Sequence, residues 1–174
     1  MTGLSTSAIV LKDGHVLRLR AISPADQLAL IEMGRRSTGQ DLRLRFLRPI
    51  RAVEGNLSKR LSQVDQLHDY VRAAFDPLPG KDSEFLGVAR LIHNEDGKSG
   101  EFAIMVRSDM QSLGMGHCLM ENLLRWAAER GWHHIEGFML PENLRMMRIV
   151  EKCGGLLEPI SNAGVIRVLF KLPG

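Results

Sequence analysis

Two glycines one residue apart mark the segment with the clearest chemistry. The segment follows an apolar run and opens a helix-like stretch, and it reads Gln111, Ser112, Leu113, Gly114, Met115, Gly116 and His117. Glycines at a helix start let the backbone approach a ligand closely, and the free N–H groups and dipole of the first turn favour an anion. The segment is a candidate phosphate-binding loop, although a tight strand-to-helix turn without a ligand fits the same residues.

Two familiar phosphate motifs do not fit this loop. The dinucleotide fingerprint needs a third glycine at the position of Leu119. A nucleoside-triphosphate loop has lysine directly after its second glycine, where this segment has His117. The loop therefore belongs to another kind of phosphate site.

The elements on either side must hold the loop in place. Residues 101–107 alternate as a strand, and residues 114–130 form the best helix in the sequence, ended by Gly131. The apolar stripe of that helix contains Met115, Leu119, Leu123, Trp126 and Ala127. The loop is thus predicted to join a strand to a long amphipathic helix.

The rest of the chain predicts a mixture of strands and helices. A hairpin is expected from residues 7–11 and 15–20 around Asp13 and Gly14, followed by a helix that starts at Ser23 and Pro24. Residues 42–63 have a mixed pattern with uncertain boundaries. Further strands are expected at residues 70–75, 85–92, 134–140 and 165–172, and a last helix carries Met146, Ile149, Val150 and Cys153.

These elements predict an α+β fold in one domain, residues 1–174. The strands at 70–75, 85–92 and 101–107 form an antiparallel meander in a central mixed, mostly antiparallel sheet with helices on both faces. No linker, repeat or low-complexity tract divides the sequence.

Composition excludes several classes of protein. Of the 174 residues, 44% are hydrophobic and 25% charged, and no apolar run approaches the ~20 residues of a membrane span. The basic stretch Arg43, Arg45, Arg48 and Arg51 lacks stacking aromatics, which make up 5% of the chain, so no nucleic-acid partner is expected. The first residues have no signal-peptide pattern, which indicates a cytoplasmic protein.

Cysteines and histidines give no sign of a metal centre. Cys118 and Cys153 have no partner spacing and are expected to be buried as small apolar residues. His133 and His134 are adjacent but lack metal-pair spacing with any carboxylate. We therefore expect no metal.

Two spaced motifs resemble the Gcn5-related N-acetyltransferase (GNAT) superfamily. Gln111, Gly114 and Gly116 match every defined position of its pyrophosphate loop, Gln/Arg-x-x-Gly-x-Gly/Ala. Residues 141–146 resemble the Glu-Asn-x-x-Ala/Met start of its last core helix, and residues 151–155 resemble the end of that helix. The resemblance implies the acyl-CoA N-acyltransferase fold and acetyl-CoA as co-substrate.

Within that superfamily the chain is most similar to bacterial protein lysine acetyltransferases. Residues 44–47, 61–65 and 101–106 resemble their Arg-Phe-Phe, Leu-Thr-Gln-Val/Ile-Asp and Glu-Phe-Ala-Val-x-Val segments. The chain departs from them at residues 66–69, where Gln-Leu-His-Asp replaces Tyr-Asp-Arg-Glu. That departure falls in the loop expected to face the substrate.

The resemblance assigns cofactor-binding roles. It implies that the backbone of Met105 and Val106 binds the pantetheine arm, and that the phosphates lie on residues 111–117. Asn143 either contacts the pantetheine or an ordered water, or is a plain helix N-cap. His117 either hydrogen-bonds a phosphate or is an exposed residue of the first turn.

The resemblance also makes Glu101 the candidate general base. Glu101 shares a strand face with Ala103 and Met105, opposite Phe102, Ile104 and Val106, so it faces the cleft if the latter pack under a helix. The rival interpretation is a surface carboxylate at a strand start. Many superfamily members have a tyrosine acid where this chain has Val150, so the thiolate leaves without a tyrosine or takes its proton from water.

These roles predict acetyl-CoA-dependent N-acetylation of a primary amine, with a protein lysine ε-amine as first choice. The alternatives are a small-amine N-acetyltransferase and a catalytically silent acetyl-CoA-binding regulatory module. Acceptor specificity is expected from residues 36–55 and 76–82. The expected partners are acetyl-CoA and the acceptor amine, with no nucleic acid or membrane and a possible homodimer.

Overall fold

A single twisted sheet dominates the computed structural model, which describes residues 7–173. The first six residues, on which the expectation about export rests, lie outside that range. Within it the strands are β1 (Ser7–Val10), β2 (Val16–Ala21), β3 (Tyr70–Phe75), β4 (Gly87–His93), β5 (Ser99–Val106), β6 (His134–Met139), β7 (Leu156–Pro159) and β8 (Ile166–Lys171). The sheet order is β1-β2-β3-β4-β5-β6-β8-β7, and only β5 and β6 pair in parallel in this part of the chain.

Two of the five helices in residues 7–173 begin at a side chain that caps a free N–H group. They are α1 (Gln27–Arg35), α2 (Gly39–Phe46), α3 (Gly55–Ser62), α4 (Met115–Glu129) and α5 (Leu144–Lys152). Thr38 caps α2 by accepting a hydrogen bond from the backbone of Asp41 at 3.1 Å, and the Asn143 side chain caps α5. None of the helices in residues 7–173 has the length and apolar character needed to cross a bilayer.

Apolar side chains cover both faces of the sheet. On one face Phe102 and Ile104 pack with the stripe of α4, including the fully buried Leu119 and Leu123. On the other face a smaller cluster joins α1 to the sheet and contains Ile22, Leu30, Met33, Val71 and Phe85. The predicted α+β fold, a mostly antiparallel sheet with helices on both faces, is confirmed.

The boundaries differ from the sequence-based expectation in a few places. Residues 42–63 separate into α2 and α3, because Leu47 adopts a left-handed conformation (φ 63°) at the end of α2. β7 was not predicted; it is a four-residue edge strand that ends at Pro159, too short to show an alternation. The triplet from Gly97 to Ser99, Gly-Lys-Ser, runs from the β4–β5 turn into the first residue of β5. It does not open a helix, so it is no nucleotide loop.

Candidate active site

A cleft opens where β5 and β6 separate. The two strands pair over three positions only, and the last pair is Glu101 with Glu136. Beyond that pair β5 continues to Val106 and β6 to Met139, but the two strands no longer pair with each other. They diverge and leave a V-shaped opening between them. A cavity of about 490 Å³ lies there, lined by residues 102–106 of one arm and by Phe138 and Met139 of the other.

The predicted phosphate loop forms one end of this cleft. All seven residues, 111–117, line the cavity. Ser112 (φ 69°) and Gly114 (φ 84°) are both left-handed, and together they turn the chain so that the first turn of α4 faces the cavity. The carbonyl of Leu113 accepts a hydrogen bond from the backbone of Lys12 at 2.9 Å, which fastens the loop to the end of β1.

Gly116 has a second role that the sequence did not reveal. A Cβ at this position would lie 2.8 Å from Cδ1 of Ile149. The absence of a side chain therefore lets α5 pack closely against α4 in addition to keeping the loop backbone open toward the cavity. Any larger residue must displace Ile149.

Several cations that border the cavity received no role from sequence reasoning. Lys12, Arg148 and Lys152 line it together with the loop. The stem of Lys12 lies against Gly114, where a Cβ would be 3.2 Å from the lysine Cγ. The spacing of Arg148 and Lys152 places them on one face of α5, a signal visible in the sequence once the helix was assigned. Their charge suits an anionic ligand.

The backbone of Met105 and Val106 lies on the open edge of β5. Both residues pair with β4 on their other side, opposite Val88 and Gly87. The side-chain amide of Gln111 donates to the carbonyl of Val106 at 3.3 Å. The strand edge expected to hold the pantetheine is therefore exposed to the cleft and joined to the phosphate loop.

Asn143 and His117 both line the cleft, but their side chains have protein partners. Oδ1 of Asn143 accepts a hydrogen bond from the backbone of Met146 at 3.2 Å, as an N-cap does. His117 contacts Glu121 through Nε2 at 3.2 Å and the thiol of Cys153 through Nδ1 at 3.6 Å. The imidazole of His117 is thus directed between α4 and α5.

Glu101 belongs to the last pair of β5 with β6 and so stands at the vertex of the V. It adjoins Phe102, which lines the cavity, but Glu101 does not line the cavity itself and is exposed. Its neighbours Phe102 and Ile104 are buried under α4, so its side chain projects from the opposite face, where Arg45 of α2 lies. Desolvation raises the pKa of Glu101, the adjacent Glu136 raises it further, and Arg45 opposes both effects. A glutamate with a raised pKa is better suited to accept a proton near neutral pH than an ordinary one.

The groups around Glu101 are themselves held in place. Arg167 donates from Nε to Glu136 at 2.6 Å and from its terminal nitrogen to Glu158 at 2.9 Å. Desolvation and the nearby Arg90 lower the pKa of Arg45 to about 10, so its guanidinium stays charged at neutral pH. The vertex therefore combines two carboxylates with one facing cation.

Helix α2 forms a wall of the cleft. Asp41 accepts a hydrogen bond from the hydroxyl of Ser108 at 2.6 Å, and Arg43 pairs with Glu142 at 2.6 Å. These contacts hold α2 between the end of β5 and the start of α5, with Asp41, Leu44 and Arg45 on the cavity. Of the two ranges expected to set acceptor specificity, 36–55 thus contributes these three residues to the cavity, and 76–82 contributes none.

The one tyrosine of the chain, Tyr70, does not replace the acid that is missing at Val150. Val150 is fully buried in the core. Tyr70 is 4% exposed and its ring packs 5.6 Å from that of Trp126. Burial raises the pKa of Tyr70 to about 12. Tyr70 is a core residue of β3.

The comparisons with known proteins agree with this architecture. The chain belongs to the GNAT acetyltransferase family, because the sequence model for the acetyltransferase (GNAT) domain matches residues 17–155. The fold is similar to the GNAT domain of S. lividans PAT, with a TM-score of 0.85 and 23% identity over 96% of this chain and 97% of that one. The recognition of the family from the two spaced motifs is confirmed.

Two further structures show the range of proteins with this fold. A spermidine N-acetyltransferase from Vibrio cholerae, in complex with CoA and spermine, has a TM-score of 0.68 and 20% identity over 89% of this chain and 95% of that one. A cAMP-binding acyltransferase from Mycobacterium smegmatis has a TM-score of 0.65 and 20% identity over 98% of this chain and 48% of that one. This chain spans about half the length of the mycobacterial protein. At these identities the likeness concerns the fold.

Proposed function

We propose that the protein transfers the acetyl group of acetyl-CoA to a primary amine, with a protein lysine ε-amine as the acceptor and Glu101 as the general base. The observation that carries the proposal is the position of Glu101 at the vertex of a cleft whose other end is the phosphate loop. A thioester reaching from that loop along β5 approaches the vertex, where the amine must attack. We propose further that residues 1–174 form one catalytic domain and that the protein acts in the cytoplasm.

Acetyl-CoA fits the residues that line the cleft. The first turn of α4 and the side chains of Lys12, Arg148 and Lys152 suit its phosphates. The open edge of β5 offers backbone groups at Met105 and Val106 for the amides of the pantetheine arm. A backbone N–H of that edge can also polarise the thioester carbonyl.

Glu101 would accept the proton that the amine loses as it attacks the thioester carbon. The new C–N bond forms as the carbonyl π bond opens, and the tetrahedral intermediate collapses when the C–S bond breaks and the thiolate leaves. The proton passes to Glu101 directly or through one water. With Val150 at the position of the usual tyrosine, the thiolate leaves unassisted or is protonated by solvent.

The charges near the vertex favour a lysine side chain over a polyamine. Arg45 faces Glu101, and Arg90 lies close enough to Arg45 to lower its pKa. A lysine brings one ammonium group to this region, whereas a polyamine must place a second ammonium group near the two guanidinium groups. Juxtaposed like charges cost binding free energy, so they select against the polyamine.

A paired binding and turnover experiment tests the proposal. Acetyl-CoA is titrated calorimetrically into the purified chain, and thiol release is then measured with lysine peptides, an acyl-CoA synthetase as protein acceptor, spermidine and amino acids. We expect acetyl-CoA to bind and thiol release to depend on a lysine acceptor. Release with small amines alone would move the function to small-amine acetylation. Binding without release on any acceptor would indicate a regulatory module, and absence of binding would overturn the cofactor assignment.

A further inference from the structure

A cluster of two histidines and two aspartates lies outside the cleft. Asp65, His68 and Asp69 precede β3, and His93 ends β4, the neighbouring strand. One potential ligand atom from each of Asp65, His68 and His93 lies within 4.8 Å of the others. None of these residues lines the cavity of the active site.

One imidazole of the cluster is oriented by a carboxylate that is not a proposed ligand, and the other lies against a carboxylate that can bind the same ion. Nδ1 of His93 lies 2.7 Å from Oδ1 of Asp69, and Nδ1 of His68 lies 2.8 Å from Oδ2 of Asp65. Asp69 accepts a hydrogen bond from Nδ1–H of His93, which leaves the lone pair of that ring on Nε2. Nδ1 of His68 and Oδ2 of Asp65 instead face each other as two potential ligand atoms. The carboxylate–histidine arrangement of Asp69 and His93 is the one that supports metal-binding imidazoles in proteins.

The backbone holds the cluster together without a ligand. Asp69 is 7% exposed and accepts hydrogen bonds from the backbone of His93 at 3.0 Å and of Asp65 at 3.3 Å. The backbone N–H of Asp69 donates to the carbonyl of Asp65 at 2.8 Å. The buried aspartate therefore joins the 65–69 turn to the end of β4, and the two imidazole rings meet with their centroids 5.3 Å apart.

We infer that Asp65, His68 and His93 form a binding site for a first-row divalent cation, with Zn²⁺ as the best match and Asp69 as a positioning residue. Two imidazoles and one carboxylate are ligands that zinc accepts, and water would complete a tetrahedron. Ligand atoms on one zinc ion lie about 3.4 Å apart. Nδ1 of His68 and Oδ2 of Asp65 must therefore separate slightly from 2.8 Å, and atoms as far apart as 4.8 Å must approach by about 1.4 Å. The side chain of His68 is 61% exposed and that of Asp65 is 42% exposed, so both are free to make this movement.

The proposed cation would strengthen the connection between the 65–69 turn and β4. It departs from the expectation of no metal, which rested on the spacing of the cysteines and of the adjacent His133 and His134. His68 and His93 are far apart in sequence, and the β3–β4 pairing brings them together.

His93 pairs with Gly100, the neighbour of Glu101, but none of the cluster residues lines the cavity. Zinc affinity is measured without acetyl transfer, so this inference can fail while the proposed function stands.

Calorimetric titration of the full chain with ZnCl₂ tests this site. We expect one equivalent to bind, His68→Ala to weaken the affinity by at least about 100-fold, and Asp69→Asn to weaken it by about 10- to 100-fold through the orientation of His93. His133→Ala is the matched control, because it removes another exposed histidine, and it should bind as the unaltered chain does.

The same proteins are examined by far-UV circular dichroism and thermal melting with and without Zn²⁺. Folded His68→Ala with no metal-dependent rise in melting temperature, beside a clear rise in the unaltered chain and in His133→Ala, supports the site. Equal zinc affinity in His68→Ala and the unaltered chain, or no binding below about 1 mM zinc in the unaltered chain, would overturn it.

Discussion

The two ends of the cleft are built in different ways. The phosphate end consists mainly of seven consecutive residues, Gln111 to His117, at the start of one helix. The vertex end combines residues from separate elements: Arg45 of α2, Arg90 of β4, Glu101 of β5 and Glu136 of β6. The phosphate end is thus a local structure, whereas the vertex depends on how the whole sheet is assembled.

This difference separates two kinds of failure. Damage to the local end should weaken binding of acetyl-CoA, because the backbone of the loop is the binding surface. Damage to the vertex should slow acetyl transfer and leave acetyl-CoA affinity unchanged, because the vertex meets the acceptor amine. A loop substitution that slows transfer without weakening binding, or a vertex substitution that weakens binding, would show that the two ends are not independent.

Gly116→Val should have the largest effect. The first carbon of its side chain would lie 2.8 Å from Cδ1 of Ile149, and the branched remainder would push α5 away or fill the cavity beside the loop. We expect the affinity for acetyl-CoA, measured by calorimetry, to fall by more than about 100-fold, as expected when both the loop backbone and its support are displaced.

Gly39→Ala is the control for this glycine. Gly39 has no atom within 4 Å of an added Cβ, so alanine there should bind acetyl-CoA normally. Circular dichroism would confirm that Gly116→Val is folded. If folded Gly116→Val binds acetyl-CoA within about threefold of the unaltered chain, the phosphate-loop assignment is wrong.

Glu101→Gln should give the opposite pattern. Loss of a general base lowers turnover by about 100-fold, and we expect this in the thiol-release rate with a lysine peptide at saturating acetyl-CoA. The affinity for acetyl-CoA should not change, because Glu101 lies at the far end of the cleft from the loop. Glu95→Gln removes an exposed carboxylate between β4 and β5 and should have no effect on either quantity. Unchanged turnover in Glu101→Gln would remove Glu101 from the mechanism.

The same division explains what the sequence could predict. The strand, the loop and α4 follow one another along the chain, and their periodicity and glycines were sufficient to assign them. The helix was expected at residues 114–130 and is observed at Met115–Glu129. The strand β3 was predicted with its observed bounds, since an apolar run between turn residues leaves little choice of register.

Contacts between distant segments could not be assigned in this way. Lys12 approaches Gly114 because the carbonyl of Leu113 bonds the end of β1, a tertiary contact with no local signal. Arg45 was noted in a basic stretch and in the segment 44–47 that resembles a family motif, but neither gave it a partner. Its position opposite Glu101 depends on the docking of α2. Glu136 lies beside Glu101 because β5 and β6 pair in parallel, and a sequence pattern does not specify that pairing.

Lys12 and Lys152 also belong to the phosphate end, but they come from segments distant in sequence from the loop. Lys12→Ala or Lys152→Ala should weaken acetyl-CoA binding by about 3- to 10-fold each, as charge-assisted contacts to phosphates do. The loss should be greater at low ionic strength, where screening is weaker. Calorimetry at two salt concentrations measures both effects.

Lys98→Ala, at an exposed position between β4 and β5, is the control for these lysines and should bind acetyl-CoA normally. A loss of turnover in Lys12→Ala at saturating acetyl-CoA, without a change in affinity, would contradict the assignment of that lysine to the phosphates.

Glu136→Gln should have the smallest effect, a displaced pH profile. The pKa of Glu101 is raised by desolvation first and by Glu136 second, so removal of the second carboxylate lowers it toward the ordinary value. Glu101 must be deprotonated to act as base, so activity is lost as the pH falls through its pKa. The acid limb of kcat/KM for a lysine peptide should therefore move to lower pH in Glu136→Gln.

Arg45→Gln should move the same limb to higher pH, because Arg45 lowers the pKa of Glu101. Ionisation of the lysine peptide contributes equally to every profile, so differences between variants report on the enzyme. Glu158→Gln is the control, since it removes the other partner of Arg167 without adjoining Glu101. Opposite shifts in Glu136→Gln and Arg45→Gln would establish that the vertex sets the pKa of the base. Coincident profiles would mean that the acid limb belongs to another group.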